Sequence, residues 1–393
     1  MSQTALPVAR GFNAWARLTV GDNKQLLLTT ATDIERELWS TLEYYSEVEE
    51  VGLDFIQTKG LQPPPTHQEI FNCFQSFVRQ AKSYYSSAKA LHYRSSSLLY
   101  YYSFLNLVKA YLLLLQPQRI MGQKIHHGLI YDIPTINTDF RLETIGVRRG
   151  VFPLFYRAQT ANIISTATGS SLNIVNLLSY PNEIGYQYQL AGYGIINILP
   201  SIAATLIDRS TNQLWTIIGI PARANLDSFL NLHVNFLQVY QEVDMNINQL
   251  ALVFVGMSLL ELSTFRIFQE RTTTPTPGSS RVISHVVPLQ KLINDLSPYI
   301  CTHYFDDNRD FDLVLPYTDA THPTPIPITE TLAIYAVMFY LSSLVRYRPD
   351  YLESLLNTKP AWLIENFVTS TPETFLRIMV CKIIGTDFVF RRR

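Results

Sequence analysis

The sequence predicts an α+β fold that is mostly helical, on the evidence of three stretches of the chain. Apolar residues recur at helical spacing over residues 66–112, short runs rich in β-branched and aromatic residues lie at 186–220, and 331–347 is a long apolar segment. The 393 residues are 47% hydrophobic and 16% charged, so the chain can bury a sizeable core. This length predicts two domains, or one domain with an insertion.

Two long helices are predicted in the first third of the chain. Thr66 and Glu69 form a T-x-x-E capping box, which predicts a helix from there to about His92. A second helix starts within a few residues and ends before Pro117. Because the connection is short, the two helices should pack antiparallel. A further amphipathic helix is expected over residues 33–48.

The middle of the chain predicts strands. Runs with strand character lie at residues 186–190, 195–199, 203–207 and 214–220. Gly, Pro and Asn separate these runs, which predict a small antiparallel sheet with a hairpin loop at residues 209–212. The run at 250–255 fits a strand and the start of a buried helix equally, because its periodicity does not separate the two.

The C-terminal third predicts helices separated by loops. In chain order these features are a linker at 272–280, a helix at 287–296, an acidic loop at 306–312, a proline-rich loop at 322–328 and an apolar helix at 331–347. A last helix is expected from Thr371 to Gly385, with Pro372 at its first position. The domains that follow are a helical module at 30–135, a mixed β-containing region at 136–270 and a C-terminal helical region at 281–393 that packs on the first.

Charge is unevenly distributed along the chain. Residues 55–160 hold 12 Lys or Arg against four Asp or Glu, whereas residues 33–54 hold eight acids and one Arg. The net charge of the whole chain is only −1. A basic module therefore follows an acidic one, and such a module suits contacts with phosphates.

Several classes of protein are disfavoured by missing signals. Cys73, Cys301 and Cys381 form no C-x-x-C pair, and the first ten residues contain no apolar signal segment. The longest apolar stretches, at 250–260 and 332–345, are shorter than the roughly 20 residues of a membrane helix. We therefore expect a cytoplasmic protein with no membrane partner.

Motifs for cofactor and metal chemistry are also missing. The chain contains no G-x(4)-G-K-[ST], G-x-G-x-x-G, G-x-S-x-G or H-E-x-x-H. The acidic loop has Phe311 and Tyr317 where a calcium-binding EF-hand needs Gly and Glu. We expect neither a cofactor nor a metal.

Three short segments resemble known families. YYYSFLNLVKAYLLL at residues 100–114, followed by HHGL at 126–129, resembles proteins of the HEPN superfamily, in which a YY-x-F…KA-x-L helix leads to a His-containing turn. LSSLVRYRPDYL at 341–352 resembles a recurrent LS-x-L-x-RY-x-P segment of YaaC-like proteins, which share the first pattern. Tyr351 and Leu352 stand where those proteins have a Trp. The chain thus resembles a YaaC-like protein whose module at 30–135 is a HEPN-like antiparallel helical core.

This resemblance implies a candidate active site. Many HEPN proteins are metal-independent ribonucleases with an R-x(4–6)-H motif, and Arg119 and His126 fit that spacing. A guanidinium matches a phosphate in bidentate geometry, and an imidazole supplies acid or base function near neutral pH. The same residues also fit a structural role, in which His126 or His127 caps the following helix while Arg119 is solvated. Whether the chain is an enzyme therefore stays open.

The basic module also carries candidate RNA contacts. These are Arg79, Lys82, Lys89, Lys109, Lys124 and His127. The tyrosines Tyr84, Tyr85, Tyr93 and Tyr100 to Tyr102 either form an interface between helices or stack RNA bases. The interface is favoured, since Tyr85 and Tyr102 fall on the apolar helix faces.

Two functions of different classes follow. The first is an RNA-binding protein of a prokaryotic stress or phage-defence system, which in its catalytic form cleaves RNA. Because HEPN active sites usually form across a dimer, this function implies a homodimer or a HEPN-containing partner. The second is a non-catalytic interaction subunit that binds a partner protein, which the low charged fraction and many aromatic residues favour.

Overall fold

The chain is a mostly helical α+β protein made of two compact units, which are described in turn. A computed structural model describes residues 25–29, 33–121, 125–131, 139–208, 213–222, 224–232, 234–246, 258–271, 274–275, 310–315 and 317–390. The larger unit contains the described residues of 33–196 and 317–385. The smaller unit contains those of 197–315, together with 25–29 and 386–390. No helix within the described ranges is long and apolar enough to cross a membrane.

The larger unit consists of helices and one small sheet. Its helices are α1 (Ile34–Glu47), α2 (Glu49–Thr58), α3 (His67–Lys89), α4 (Tyr93–Leu113), α5 (Pro117–Ile120), α6 (Val151–Thr160), α7 (Ile174–Leu177), α8 (Gly185–Leu190), α12 (Glu330–Tyr347), α13 (Pro349–Leu355) and α14 (Ala361–Ile384). Short 3-10 helices lie at Phe140–Leu142 and Asn182–Ile184. The strands β2 (Leu129–Ile130), β3 (Thr144–Val147) and β4 (Ser171–Asn173) form an antiparallel sheet in the order β2-β3-β4.

The smaller unit is built around an antiparallel sheet. Its elements are β1 (Gln25–Thr29), β5 (Ile198–Asp208), β6 (Gln213–Pro221), α9 (Ala224–Leu232), α10 (Val234–Val239), β7 (Tyr240–Val243), α11 (Leu259–Leu262), β8 (Phe265–Glu270), β9 (Thr274–Pro275), β10 (Asp310–Val314) and β11 (Thr386–Phe390). The strands of the sheet follow the order β10-β5-β6-β8-β7, and β9 also pairs with β6. Strand β1 pairs separately with β11, in parallel. The sheet confirms the strands predicted at 203–207 and 214–220.

The predicted helix pair forms as the capping box indicates. The Thr66 hydroxyl accepts a hydrogen bond from the Glu69 amide, and the Glu69 carboxylate accepts one from the Thr66 amide at 2.8 Å. Both bonds satisfy amides that the first turn of a helix leaves without a partner. The start of α4 lies near the end of α3, since Tyr85 meets Tyr100 at 5.3 Å between ring centroids. Ser103 reaches back to the Ala81 carbonyl, so the two helices run antiparallel.

Helix α4 lies at the centre of the larger unit. It packs against α3, α12 and α14, so that most of its residues are buried. Phe104 of α4 stacks on Phe375 of α14 with ring centroids 3.9 Å apart, and Tyr101 of α4 meets Tyr335 of α12 at 5.5 Å. Helix α12 is buried from Glu330 to Leu344, as expected for a segment with so few polar residues.

Three predictions of secondary structure were wrong. Residues 186–190 lie in helix α8, because a short run of Tyr and Gln fits one helical turn as well as a strand. Pro372 lies inside α14, which begins at Ala361 rather than at Thr371. The apolar face of α14 continues on both sides of Pro372, and its burial outweighs the roughly 3 kcal/mol cost of a proline in a helix. Asp310 and Asp312, predicted to lie in a loop, belong to strand β10.

Other predicted features lie outside the described residues. These are the hairpin loop at 209–212, the run at 250–255, most of the linker at 272–280, the helix at 287–296 and residues 306–309 of the acidic loop.

Candidate functional site

The HHGL segment caps helix α6 through its backbone. The carbonyls of His126 and His127 accept hydrogen bonds from the amides of Val151 and Phe152, at 2.9 and 3.0 Å. This contact requires Gly128, which has a φ of +83° and lies where an added Cβ would be 2.7 Å from the Phe152 nitrogen. The backbone on both sides of His127 is therefore held firmly, and its ring has a defined position.

The imidazole of His127 is held by a buried tyrosine pair. Its Nδ1 and the Tyr101 hydroxyl share a hydrogen bond of 2.8 Å, and the Tyr101 hydroxyl lies 3.4 Å from that of Tyr335. Tyr101 and Tyr335 are fully buried, whereas His127 is half-buried. With Nδ1 occupied, Nε2 is the ring nitrogen left for a ligand.

Positive charge surrounds His127. Burial lowers the pKa of its imidazole, and electrostatic interactions with Lys109, Arg346 and His126 lower it further. The ring is therefore neutral at pH 7. An imidazole in this state serves as a hydrogen-bonding group or a base, and it would accept a proton more readily if an anion arrived.

Two cations beside His127 lie over aromatic rings. The Lys109 ammonium is 5.7 Å from the centroid of Phe77, and burial lowers the pKa of this lysine. Arg346 donates hydrogen bonds to the hydroxyls of Tyr102 and Tyr347, at 3.0 and 2.7 Å. Within the described part of the chain, no carboxylate forms an ion pair with either cation.

These groups form one surface, which we call the aromatic–cation face. Its members are Phe77, Tyr84, Tyr102, Lys109, Arg346 and Tyr347, with His127 beside them. Phe77 and Tyr84 lie seven residues apart on α3, and Tyr102 and Lys109 lie seven apart on α4, so each pair shares a helix face. Tyr84 meets Tyr102 across the two helices at 5.5 Å. Such a face attracts anions and offers rings on which a planar group can stack.

The arginine and the two lysines of α3 are paired with acids of α1. Arg79 binds Glu47 at 2.6 Å and Lys89 binds Glu35 at 2.9 Å. Lys82 likewise pairs with Glu43. A phosphate at any of these predicted RNA contacts would have to compete with the glutamate already there.

The remaining predicted site residues are placed as follows. Arg119 is exposed on the short helix α5, and His126 is exposed in the connection before β2. Among the described residues, no hydrogen bond joins their side chains, so their catalytic pairing stays a prediction. Lys124 lies outside the described residues. Of the predicted contacts, Lys109 and His127 are brought together at the aromatic–cation face.

The sequence analysis did not identify three residues of the aromatic–cation face as candidate site residues, namely Phe77, Arg346 and Tyr347. Arg346 and Tyr347 stand in the LSSLVRYRPDYL segment, which was used only as a sign of resemblance. Tyr101, which orients His127, was assigned to a helix interface, as its full burial bears out. One signal in the sequence could have identified this face. The three segments that resemble known families, at 100–114, 126–129 and 341–352, all contribute to it.

The fold and the face together define a mostly helical α+β protein with an anion-attracting, aromatic-lined surface on its larger unit. The model of the YaaC-like Protein family matches residues 55–383, which include all three segments. The chain therefore belongs to the YaaC-like family. Comparisons with curated proteins and with solved structures give no match. The HEPN likeness of the helical module stays a prediction.

Proposed function

We propose that this YaaC-like protein binds single-stranded RNA on the aromatic–cation face. The observation that carries the proposal is the position of two cations, Lys109 and Arg346, over aromatic rings. Neither cation has a carboxylate partner among the residues that the structure describes. Proteins that bind single strands combine basic groups for the phosphates with aromatic rings for the bases. Tyr102 and Tyr347 are the rings best placed for stacking, since Tyr102 is half-buried and Tyr347 exposed.

Lys109 and Arg346 differ from the basic residues of α3 in their electrostatic environment. Arg79 and Lys89 each gain little by leaving a glutamate for a phosphate, because one ion pair replaces another. Among the residues that the structure describes, Lys109 and Arg346 have no such pair to break. Their contribution to RNA affinity should therefore exceed that of the paired residues, although the paired residues are equally basic.

Cleavage of the bound RNA is the catalytic form of this proposal. The HEPN resemblance suggests Arg119 and His126 for that role, whereas His127 is the histidine that interacts electrostatically with the two cations. A neutral imidazole can take the proton of a 2′-hydroxyl without a metal. The 2′-oxygen then attacks the adjacent phosphorus, and the P–O5′ bond breaks to give a 2′,3′-cyclic phosphate and a 5′-hydroxyl protonated by water, while cations stabilise the phosphate. The biological setting we propose is a prokaryotic stress or phage-defence system.

The binding proposal is tested with a fluorescently labelled 12-nucleotide RNA and the full chain, by anisotropy at several salt concentrations. Lys109→Ala and Arg346→Ala should each weaken binding about tenfold and reduce the salt dependence by about one ion. Arg79→Ala is the matched control and should change affinity less than twofold. If wild type does not bind, or if the control weakens binding as much, RNA binding at this face is wrong and a partner protein becomes the better hypothesis.

Cleavage is tested separately, with a structured RNA pool in EDTA. Wild type is compared with Arg119→Ala, His126→Ala and His127→Ala, each checked for folding by circular dichroism. Loss of cleavage in the first two variants supports the HEPN pairing, and loss in His127→Ala alone supports the face. If the protein binds RNA but does not cleave it, the proposal is reduced to RNA binding without catalysis.

A further inference from the structure

A second candidate site lies in the larger unit and shares no residue with the aromatic–cation face. Two cavities, of about 540 and 410 Å³, have Arg141 and Tyr193 as a common wall. Tyr188 and Thr144 also line the first cavity, and Lys359 lines the second. Both volumes fall in the range of roughly 300 to 1,000 Å³ that is usual for small-molecule sites.

The backbone of Arg141 is fixed, while most of its guanidinium is open. The Asp139 carboxylate accepts a hydrogen bond from the Arg141 amide at 2.9 Å, and the Asn173 amide donates to the Arg141 carbonyl at 2.7 Å. To the residues that the structure describes, the guanidinium itself makes one hydrogen bond, from Nη2 to the Gly192 carbonyl at 3.1 Å. No carboxylate of the described chain forms an ion pair with it. A guanidinium has five N–H donors, so several remain for an anionic ligand.

Tyr193 forms a rigid aromatic wall beside this arginine. Its ring lies 5.7 Å below the Arg141 guanidinium and packs against Phe140 at 6.2 Å and Tyr188 at 5.6 Å. Gly192 and Gly194, on either side, have φ angles of +83° and +102°, which side chains other than glycine rarely adopt. This turn holds Tyr193 in a defined orientation toward the two cavities, which together we call the cleft.

The second cavity favours an anion, because Arg141 and Lys359 line it against Asp139 alone, whereas in the first cavity Asp319 balances Arg141. Asp319 lines the first cavity, but its carboxylate already accepts hydrogen bonds from the Tyr317 hydroxyl and from the amides of Thr321 and His322. It therefore has little capacity left for a cationic ligand. In the second cavity Lys359 adds a further positive charge, and Asp139 is engaged with the Arg141 amide.

We propose that this cleft binds an aromatic phosphate of the size of a nucleoside monophosphate. The phosphate is held by the guanidinium of Arg141, in the bidentate geometry that arginine favours. The planar ring lies against Tyr193 and Tyr188. This proposal is independent of RNA binding at the aromatic–cation face, since neither Arg141 nor Tyr193 belongs to that face.

The test is calorimetric titration of the full chain with adenosine 5′-monophosphate, and with adenosine and ribose 5-phosphate as its two halves. The monophosphate should bind at least tenfold more tightly than either half. Arg141→Gln should weaken it at least tenfold and leave adenosine unchanged, because only the phosphate contact is lost. Tyr193→Leu should weaken the monophosphate and adenosine but not ribose 5-phosphate.

Two controls locate the site. Arg157→Gln removes an exposed arginine of α6, and Lys109→Gln removes a cation of the aromatic–cation face, so both should bind the monophosphate as wild type does. If Arg141→Gln fails to fold, Arg141→Lys replaces it, and the loss of bidentate geometry should still weaken binding. The proposal is overturned if the monophosphate does not saturate wild type, if Arg141 variants bind normally, or if Lys109→Gln abolishes binding.

Discussion

RNA binding should strengthen as the pH falls, because His127 would take up a proton in the complex. In the free protein its pKa is lowered by burial and by electrostatic interactions with Lys109, Arg346 and His126. A phosphate bound by Lys109 and Arg346 supplies a negative charge beside the imidazole. The pKa of His127 should therefore be higher in the complex than in the free protein.

The size of this effect follows from the difference between the two pKa values. Each unit of difference corresponds to about 1.4 kcal/mol, which is tenfold in Kd. Between the pKa of the complex and that of the free protein, the affinity should rise by up to about tenfold per pH unit for one proton. Since the pKa of free His127 lies below its ordinary value of 6.5, the rise should continue below pH 6.5.

The assay is RNA anisotropy between pH 5 and 8 at constant ionic strength, with wild type and His127→Gln. Glutamine keeps a hydrogen-bonding group near Tyr101 but does not titrate, so its affinity should depend less on pH. Calorimetry in two buffers of different ionisation enthalpy should show about one proton taken up by wild type. His67→Gln, a histidine on α3 far along the helix from the face, is the control. Equal pH dependence in wild type and His127→Gln would refute the reasoning.

The same histidine should affect the free energy of unfolding in the opposite direction. Its pKa in the folded protein is lower than in the unfolded chain, so acid favours the unfolded state. The stability that neutral His127 contributes is fully present above about pH 6.5 and is lost as the pH falls through the folded-state pKa. Urea denaturation without RNA should therefore show a larger loss between pH 7.5 and 5 for wild type than for His127→Gln.

Three further predictions concern stability and are measured by urea denaturation at pH 7.5. Glu143→Ala should lower the free energy of unfolding by about 2 to 4 kcal/mol. The buried carboxylate accepts hydrogen bonds from Tyr131 and Tyr351, at 3.1 and 3.0 Å, and both hydroxyls would lose their acceptor. A loss below about 1 kcal/mol would contradict this. Gly128→Ala should lower the free energy of unfolding by more than about 1 kcal/mol, because alanine rarely adopts the positive φ of this residue. An unchanged midpoint of unfolding would count against the role of Gly128 in capping α6. Arg79→Ala should leave the midpoint of urea unfolding almost unchanged, since its ion pair with Glu47 is exposed, and a clear shift of the midpoint would contradict this.

Local sequence signals predicted the elements whose determinants are local. The helix α3 follows from the capping box of Thr66 and Glu69, whose bonds lie within one turn. The start of α14 did not follow, because Pro372 resembles a first helical residue when only its neighbours are considered. Burial on both sides of Pro372 is a property of the packed unit, and the sequence does not reveal it directly.

The candidate site was predictable only in part, for the same reason. Lys109 and His127 stand in segments close together in the chain, and both were predicted as RNA contacts. Arg346 stands far away in sequence, and its place beside Tyr102 depends on the packing of α12 against α4. Arg346 lies in the segment that resembles YaaC-like proteins, but only the folded unit brings this residue close to His127.

The charge pattern gives the most instructive difference between sequence and structure. The excess of basic residues at 55–160 suggested that nucleic acid balances them, yet acidic α1 supplies partners for Arg79, Lys82 and Lys89. The adjacent acidic and basic segments therefore largely neutralise each other within the larger unit. Attraction for an anion depends on the cations that remain without a carboxylate. On this reasoning, removing Lys109 should affect RNA binding more than removing Arg79, although sequence alone treats the two as equal.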